Sequence, residues 1–454
     1  PWKPFTPIPR TRRGVLDYLL AHPVLDEPEQ DDWRERCSKS FQATAYALCK
    51  LSQQKQNNWP KDRWRDALQA WAEEKLPDCS WRYMAPVVAG APDDFLKAVS
   101  RNISGWLEAV AKTFEDHEDH FLTLARRILQ LDFEDDNDAD DPVPRAINHP
   151  VGHVVQAFLD WWYRQRPNDC QELPDSIKPI FTELCDTRIA KFRHGRVLLA
   201  AHTTSLFYVD KTWSEEHLLP LFDWHRSETE ARAAWAGFLR SPRLYRPYRP
   251  LMEAIKPDFL DTVNHYADLG QYKEPFAAFL TFAALDPGDT FNTKELSEAI
   301  GTLPPDGLRA STQALMQAQE AAGDRREEFW RNRVQPFWKK IWPKSKDQAP
   351  NVSAESLARL CVAAGEEFPS AVTVLGSWLR PYQYPNYVIY LLHEANLSAR
   401  FPEKALDFLN IILADLKSVA ERQKLRECLD AIAQAAPTLR ENLKFVQLEL
   451  LVRP

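Results

Sequence analysis

Apolar side chains recur along much of this chain at intervals of three and four residues, which is the spacing of one face of an α-helix. Trp64, Leu68, Trp71, Ala72 and Leu76 form one such stripe. The remaining positions of these segments are polar, as expected of helices with one buried face. We therefore predict an all-α fold in which strands are nearly absent.

An internal repeat near the end of the chain predicts how these helices are arranged. A Phe-Pro pair followed by apolar residues at every third position begins at Phe368 and again at Phe401, 33 residues later. Each proline fits the first turn of a helix. Further apolar helices are predicted at 357–364, 387–395, 428–435 and 443–451. This pattern predicts stacked antiparallel helix pairs that form an α-solenoid-like, helical repeat array.

Proline-rich and acidic stretches divide the chain into five predicted segments. The acidic loop 134–141 has neither the Gly nor the bidentate Glu of a calcium loop, so we interpret it as a solvated linker. The segments are a linker at 1–14, an N-terminal helical domain at 15–133, an acidic linker at 134–144, a central helical domain at 145–350 and C-terminal helical repeats at 351–454.

Two helix starts are predicted in the stretch 203–239, which connects the helices of the central segment. Thr212 with Glu215, and Ser227 with Glu230, fit the capping-box spacing, in which a hydroxyl and a carboxylate satisfy free backbone N–H groups. Pro220 interrupts the apolar residues between them and is expected to end a helix.

Composition narrows the class of protein further. Only 13 Gly against 34 Pro disfavours tight hairpins and glycine-rich phosphate loops, and favours helices delimited by prolines. A net charge of −8 argues against a wholly basic nucleic-acid binder. The seven Cys include no C-x-x-C pair, which suits a reducing, cytoplasmic environment. No apolar run approaches the roughly 18 residues of a membrane span, so no membrane partner is expected.

Two stretches combine basic and aromatic residues and form the candidate interaction surface. The stretch 240–257 is rich in Arg, Tyr and Pro, and 320–346 places cations between aromatics. The candidate residues are Arg240, Arg243, Tyr245, Arg246, Tyr248, Arg249, Arg325, Arg326, Arg331, Arg333, Lys339 and Lys340. Exposed aromatics beside cations could bind nucleic acid. The helical spacing instead predicts that Trp338 and Trp342 lie in the core.

No catalytic constellation is evident in the sequence. G-x-S-x-G and H-E-x-x-H motifs are absent, and no Cys has a plausible His partner nearby. We therefore predict no catalytic, cofactor-binding or metal-binding residues in this chain, although an active site assembled from distant positions stays open.

Several motifs together resemble a known family. They are Ala-Ile-Asn-His-Pro-Val-Gly at 146–152, Trp-Ser at 213–214 with Leu-Leu-Pro-Leu-Phe-Asp-Trp at 218–224, Ala-Trp-Ala-Gly-Phe-Leu at 234–239, and Pro-Phe-Trp-Lys-Lys-Ile-Trp-Pro-Lys-Ser at 336–345. In these motifs, over residues 60–454, the chain resembles the long helical C-terminal region of bacterial sirtuin-domain proteins linked to anti-phage defence.

The resemblance implies a division of labour. An N-terminal sirtuin-like domain would cleave NAD, and the helical region would sense infection or regulate that enzyme. The matching motifs are structural, so no catalytic residue is carried over to this chain. Because the first residue is Pro1 and not Met, we expect the sequence to be a fragment whose NAD-cleaving domain lies upstream.

Three functions follow, in order of preference. The first is a non-catalytic sensor, regulatory or scaffold region that binds a protein trigger or a partner subunit. The resemblance implies that the trigger is phage-derived and that a homo-oligomer would form through an upstream domain. The second is a nucleic-acid-binding helical repeat that uses the basic-aromatic surfaces. The third is an enzyme in its own right.

Overall fold

A computed structural model describes residues 7–22, 31–54, 59–73, 76–133, 141–240, 249–286, 288–344, 352–414 and 422–452. The regular structure in these ranges is helical, and they contain no β-strand, which confirms the predicted all-α class. None of the helices in this part of the chain has the length and apolarity needed to cross a membrane.

Backbone contacts divide the chain into unit 1, Pro1–Ala254, and unit 2, Ile255–Pro454. The predicted segment boundaries stay predictions, because most of the acidic linker and residues 345–351 lie outside the described residues. Residues 1–6 of the predicted N-terminal linker also lie outside them.

Unit 1 is built from short and medium helices, and three of those given below, α5, α9 and α10, begin at a proline. They are α1 (Arg12–Ala21), α2 (Trp33–Lys39), α3 (Phe41–Ser52), α4 (Lys61–Trp71), α5 (Pro77–Ala89), α6 (Asp93–Ala98), α7 (Ser100–Ala111), α8 (Glu118–Gln130), α9 (Pro142–Asn148), α10 (Pro150–Arg164), α11 (Lys178–Leu184), α12 (Arg193–Ala201), α13 (Thr203–Val209), α14 (Lys211–Trp213) and α15 (Glu228–Arg240). Helix α16 (Arg249–Asp261) contains the division between the units.

Indole rings fill much of the core of unit 1. Trp64 and Trp71 on α4 are fully buried, so the first part of the predicted stripe is confirmed, and α4 ends at Trp71. Helix α7 packs against α10, and α12 against α15. The last contact is close because Gly237 on α15 has no side chain: a Cβ there would lie 2.2 Å from the carbonyl oxygen of Val197.

The joint between α13 and α15 differs in detail from the prediction. Helix α14 begins one residue before Thr212, because the Asp210 carboxylate accepts a hydrogen bond from the backbone N–H of Trp213 and caps the helix itself. Helical turns then continue through a π-turn at Ser214–Leu218 and a 3-10 turn at Leu219–Phe222, so Pro220 does not end the helical path.

The second predicted cap is half formed. The hydroxyl of Ser227 accepts a hydrogen bond from the N–H of Glu230 at 3.4 Å. The Glu230 carboxylate, however, turns away from the helix start and binds two arginines of α12. Both halves of a capping box occur instead at Asn292 and Glu295.

Unit 2 continues the helical architecture. Its helices are α17 (Lys273–Leu285), α18 (Thr293–Thr302), α19 (Pro305–Ala321), α20 (Arg326–Phe329), α21 (Gln335–Lys340), α22 (Ala354–Ala363), α23 (Phe368–Leu375), α24 (Asn386–Glu394), α25 (Leu397–Arg400), α26 (Pro402–Leu413), α27 (Arg422–Ala435) and α28 (Leu443–Val452). A π-turn at Trp330–Val334 joins α20 to α21.

The predicted repeat segments do form helices. Phe368 opens α23 and Phe401 precedes α26, and their rings lie 6.4 Å apart between centroids. Helix α22 packs against α19 and α24, and α24 packs against α27. Helix α23 packs against α21 and α26, and α26 packs against α28.

Candidate interaction surface

The predicted surface residues fall into two groups that belong to different units. In the first group, residues 243–248, including Arg243, Tyr245, Arg246 and Tyr248, lie outside the described residues. Arg240 ends α15 and Arg249 begins α16, and both side chains are exposed. This first surface therefore stays a prediction.

The second group is described completely, and its charge is partly neutralised. Three of the six basic residues are paired with carboxylates: Arg326 with Glu327 (3.1 Å), Arg331 with Glu367 (3.3 Å) and Arg333 with Asp286 (2.7 Å). Arg325, Lys339 and Lys340 are exposed, and no carboxylate of the described residues pairs with them. The stretch thus offers less free positive charge than its sequence suggests.

Trp338 and Trp342 of the same stretch face the core, as predicted. Trp338 and Trp342 are 4% and 1% exposed, and their rings stack at 4.6 Å with an angle of 10°. The ring of Trp378 meets both edge-on, at 5.7 and 6.1 Å. Since stacking of nucleic-acid bases requires exposed rings, these tryptophans are a structural cluster.

Arg325 and Arg333 border a cleft of about 550 Å³ between α17, the end of α19 and the helix that follows it. Its apolar lining includes Phe282, which is 39% exposed, and Phe329. The π-turn at Trp330–Val334 forms part of the wall, and such turns are frequent at functional sites. An apolar lining with a mixed-charge rim suits a protein or peptide partner better than a polyanion.

A buried ion-pair network in unit 1 connects α12 with the stretch 203–239. Arg196 is 1% exposed and donates from Nε and Nη2 to the Glu230 carboxylate at 2.7 and 3.0 Å. Arg193 donates to the same carboxylate at 2.8 Å. The remaining nitrogen of Arg196 donates to backbone carbonyls, including that of Asp186. These bonds hold α12 to the first turn of α15.

A polar cleft of about 470 Å³ lies beside this network, and Cys185 and Asp186 contribute to its lining. Burial raises the pKa of the Cys185 thiol to about 12, so the sulfur stays protonated at neutral pH and is a poor nucleophile. Hydrogen bonds from Arg188 lower the pKa of Asp186 to about 2. Cys185 does not supply a thiolate here, and Arg188 holds the Asp186 carboxylate in its charged form.

A group of exposed tyrosines at and just before α24 in unit 2 is the surface feature that sequence reasoning missed. Tyr384, Tyr387 and Tyr390 are 77%, 51% and 41% exposed. Tyr384 lies just before α24, and the other two lie three residues apart on one face of that helix. We call the side chains of Tyr387 and Tyr390 the tyrosine face. Large exposed aromatics in a row are uncommon on a surface that stays in water.

Cations from the two neighbouring helices hold the tyrosine face in place. The Arg359 guanidinium, on α22, lies 5.2 Å from the centre of the Tyr387 ring. The Lys424 ammonium, on α27, lies 6.0 Å from the centre of the Tyr390 ring. Glu320 on α19 binds Arg359 through both carboxylate oxygens, at 2.8 and 3.0 Å. The face is therefore part of a surface that crosses four helices, α19, α22, α24 and α27.

The sequence did contain a signal for this surface. The prediction of an apolar helix at 387–395 was correct, but its buried stripe consists of Val388, Ile389 and Leu392. Tyr387 and Tyr390 lie off that stripe, so their aromatic rings had to point elsewhere. Assigning the buried stripe first, and then asking which aromatic residues lie outside it, would have identified Tyr387 and Tyr390 from the sequence.

A second exposed apolar stripe lies on α28. Leu443, Val446 and Leu450 are 78%, 40% and 57% exposed, while Phe445 and Leu448 of the same helix are buried. The helix is thus apolar on more than its core-facing side. No group of three or more His, Cys, Asp or Glu side chains in the described part of the chain is placed to hold a metal ion.

Comparisons with known proteins add little. The sequence matches no protein-family model and no curated protein. Among solved structures, it is similar to the crystal structure of an engineered protein from the Northeast Structural Genomics Consortium, with 13% sequence identity over 97% of this chain and 94% of that one and a TM-score of 0.32. A similarity this weak carries no argument about fold or function.

Proposed function

We propose that this chain is a non-catalytic interaction region, a sensor or scaffold, that binds a protein partner through the tyrosine face. The observation that supports it best is the fixed exposure of Tyr387 and Tyr390, each held by a cation from a different neighbouring helix. Tyr and Arg are enriched among the residues that dominate protein interfaces. Rings that are already ordered also lose little conformational entropy on binding.

Unit 2 supplies the scaffold in this proposal. Helices α19, α22, α24 and α27 form one row of an α-solenoid-like array, and α21, α23, α26 and α28 form the other. The pairwise packing within each row supports this arrangement, as does the recurrence of the Phe368 motif at Phe401. Each helix pair adds one strip of surface, so such an array presents an extended face to a partner.

The biological setting of the proposal comes from the motif resemblance. A helical region of a bacterial anti-phage defence protein would receive the trigger, a phage-derived protein or a partner subunit, and an upstream sirtuin-like domain would cleave NAD. The residues of this chain would then transmit binding and leave the chemistry to that domain. The buried network of Arg196 and Glu230 gives the region a fixed core.

Nucleic-acid binding is the alternative, and the charges weaken it. Trp338 and Trp342 are buried, and three of the six cations in the second group are paired with carboxylates. If binding to DNA or RNA did occur through neutralised phosphates, the affinity would fall steeply with salt. A flat salt dependence of partner binding would separate the protein-binding function from this alternative.

Site-specific photo-crosslinking tests the proposed function. A photoreactive amino acid at position 387 or 390 should give a discrete crosslinked protein in infected cells that produce the chain. The matched control is position 83, because Tyr83 is 63% exposed and lies in unit 1. Equal crosslinking at positions 83, 387 and 390, or none at all in infected and uninfected cells, would refute partner binding at the tyrosine face.

A further inference from the structure

The spacing of the tyrosine face matches an extended ligand. Residues three apart on an α-helix diverge by about 60° around the axis and rise by about 4.5 Å, so the ring centres of Tyr387 and Tyr390 are expected about 8 Å apart. A polyproline II helix repeats every three residues, or about 9 Å. Successive turns of such a segment could therefore contact successive rings.

The hydroxyl groups of the face provide complementary polar chemistry. No hydrogen bond within the described residues engages the hydroxyls of Tyr384, Tyr387 or Tyr390. A polyproline II segment has no internal hydrogen bonds, so its carbonyl oxygens are free to accept from such donors. Aromatic-lined sites of other proteins recognise proline-rich segments in this preformed conformation.

Charge decides between a basic and an acidic ligand. The carboxylates beside the face are Glu320, Glu394 and Glu427, and the cations are Arg359 and Lys424. His393 of α24 also lies 3.4 Å from Glu427. With histidine counted as neutral, three negative and two positive charges leave an excess of one negative charge, and both cations are already paired. This balance disfavours a phosphate backbone and favours a ligand that carries Arg or Lys.

From these observations we infer that the tyrosine face binds an extended, proline-rich segment of a partner protein, with prolines packed on Tyr387 and Tyr390 and a flanking Arg or Lys beside the glutamates. This inference rests on the proposed function of the same surface and specifies the chemistry of its partner. A flanking cation would meet Glu394. Its carboxylate is half exposed, and its contact with Lys424 is long, at 4.0 Å.

A peptide-binding experiment on the full chain tests the inference. The probe is a fluorescent twelve-residue peptide with prolines at every third position and an arginine at each end, followed by fluorescence anisotropy. We expect saturable binding, at least about tenfold weaker with Tyr387→Ala or Tyr390→Ala. The variant Tyr83→Ala is the matched control and should bind like the parent, because its ring is exposed elsewhere.

Two further probes identify what the face recognises. A peptide in which the prolines are replaced by alanine should bind at least about tenfold more weakly, since it loses the preformed extended conformation. A peptide without the arginines should bind several-fold more weakly. Tyr387→Phe separates the ring from its hydroxyl and should retain part of the affinity. Equal affinity for the proline and alanine peptides, or an amphipathic helical peptide that binds better, would overturn the inference.

The possible outcomes separate this inference from the proposed function. A crosslinked partner at position 387, together with no binding of the proline peptide, would mean that the face binds a protein of other chemistry. A single-stranded oligouridine that binds the face and loses affinity steeply with salt would overturn both. Circular dichroism melts of the Tyr387→Ala and Tyr390→Ala chains show that lost binding is not lost folding.

Discussion

Replacing Trp338 by alanine should strongly destabilise unit 2. The side chain is 4% exposed, stacks on Trp342 at 4.6 Å and meets the edge of Trp378 at 5.7 Å. Truncation removes the buried indole and leaves a cavity between two other tryptophans, which cannot collapse into it easily. If the ring instead lay on a nucleic-acid surface, truncation would leave stability almost unchanged.

The magnitude follows from burial and ring contacts. Truncation of a buried Trp to Ala typically costs about 3 to 5 kcal/mol. The lost aromatic pairs, worth about 0.5 to 1.5 kcal/mol, place Trp338 near the upper end, at about 5 kcal/mol. For a unit of this size each kcal/mol shifts Tm by about 2 to 4 °C, so the fall should be roughly 10 to 20 °C.

Thermal unfolding followed by circular dichroism and by tryptophan fluorescence provides the measurement. The controls are Lys339→Ala and Lys340→Ala, whose exposed side chains follow Trp338 directly and should change the free energy of unfolding by less than about 0.5 kcal/mol. A Trp338→Ala chain that melts with the parent would show that the ring is not buried. A loss of RNA or DNA affinity in that same variant would move nucleic-acid binding to first place.

Three other substitutions test parts of the architecture by urea unfolding. Gly365→Ala should cost about 1 to 2 kcal/mol, because φ is +60° there and the added Cβ would lie 2.5 Å from Nε of Arg326; unchanged stability would contradict this backbone conformation. Glu230→Ala should cost about 3 to 5 kcal/mol, since it leaves the buried guanidinium of Arg196 without a counter-charge, and a neutral result would mean that the pair is solvated. Burial alone would raise the pKa of Asp210, but hydrogen bonds from Lys178 and two backbone N–H groups lower it below its ordinary value. The charged carboxylate therefore stabilises the fold above the unfolded pKa of about 3.9, and this contribution is lost as pH falls through the lower folded pKa. Asp210→Asn should lower stability at pH 7 and show a smaller loss in acid than the parent; parallel pH profiles would contradict this assignment.

Local sequence patterns were sufficient where one side chain acts on its own helix. The helical spacing of Trp338 and Trp342 correctly placed both rings in the core. Pro150 and Pro402 marked helix starts, because a fixed φ and a missing N–H suit the first turn, whereas Pro86 and Pro257 lie inside helices. The Phe-Pro pairs at Phe368 and Phe401 correctly placed α23 and α26. These features depend on helix periodicity and backbone geometry, which each segment carries by itself.

Partners distant in sequence decided the rest. Asp210 and not Thr212 caps α14, because the carboxylate is also held by Lys178 on another helix. Glu230 lies where a capping box predicts a return to the backbone, yet buried Arg196 binds it more strongly than a solvent-exposed N–H would. A sequence pattern cannot rank such competing partners until the fold has brought them together.

The candidate surface also depends partly on the local sequence and partly on partners distant in sequence. The sequence by itself determined that 325–340 would contain many cations, but only the tertiary structure supplied Glu367 and Asp286, which neutralise Arg331 and Arg333. The tyrosines of α24 were visible as residues from the start. Helix packing decided their exposure, because the buried stripe of α24 packs against the core and the opposite face of the helix is left in solvent.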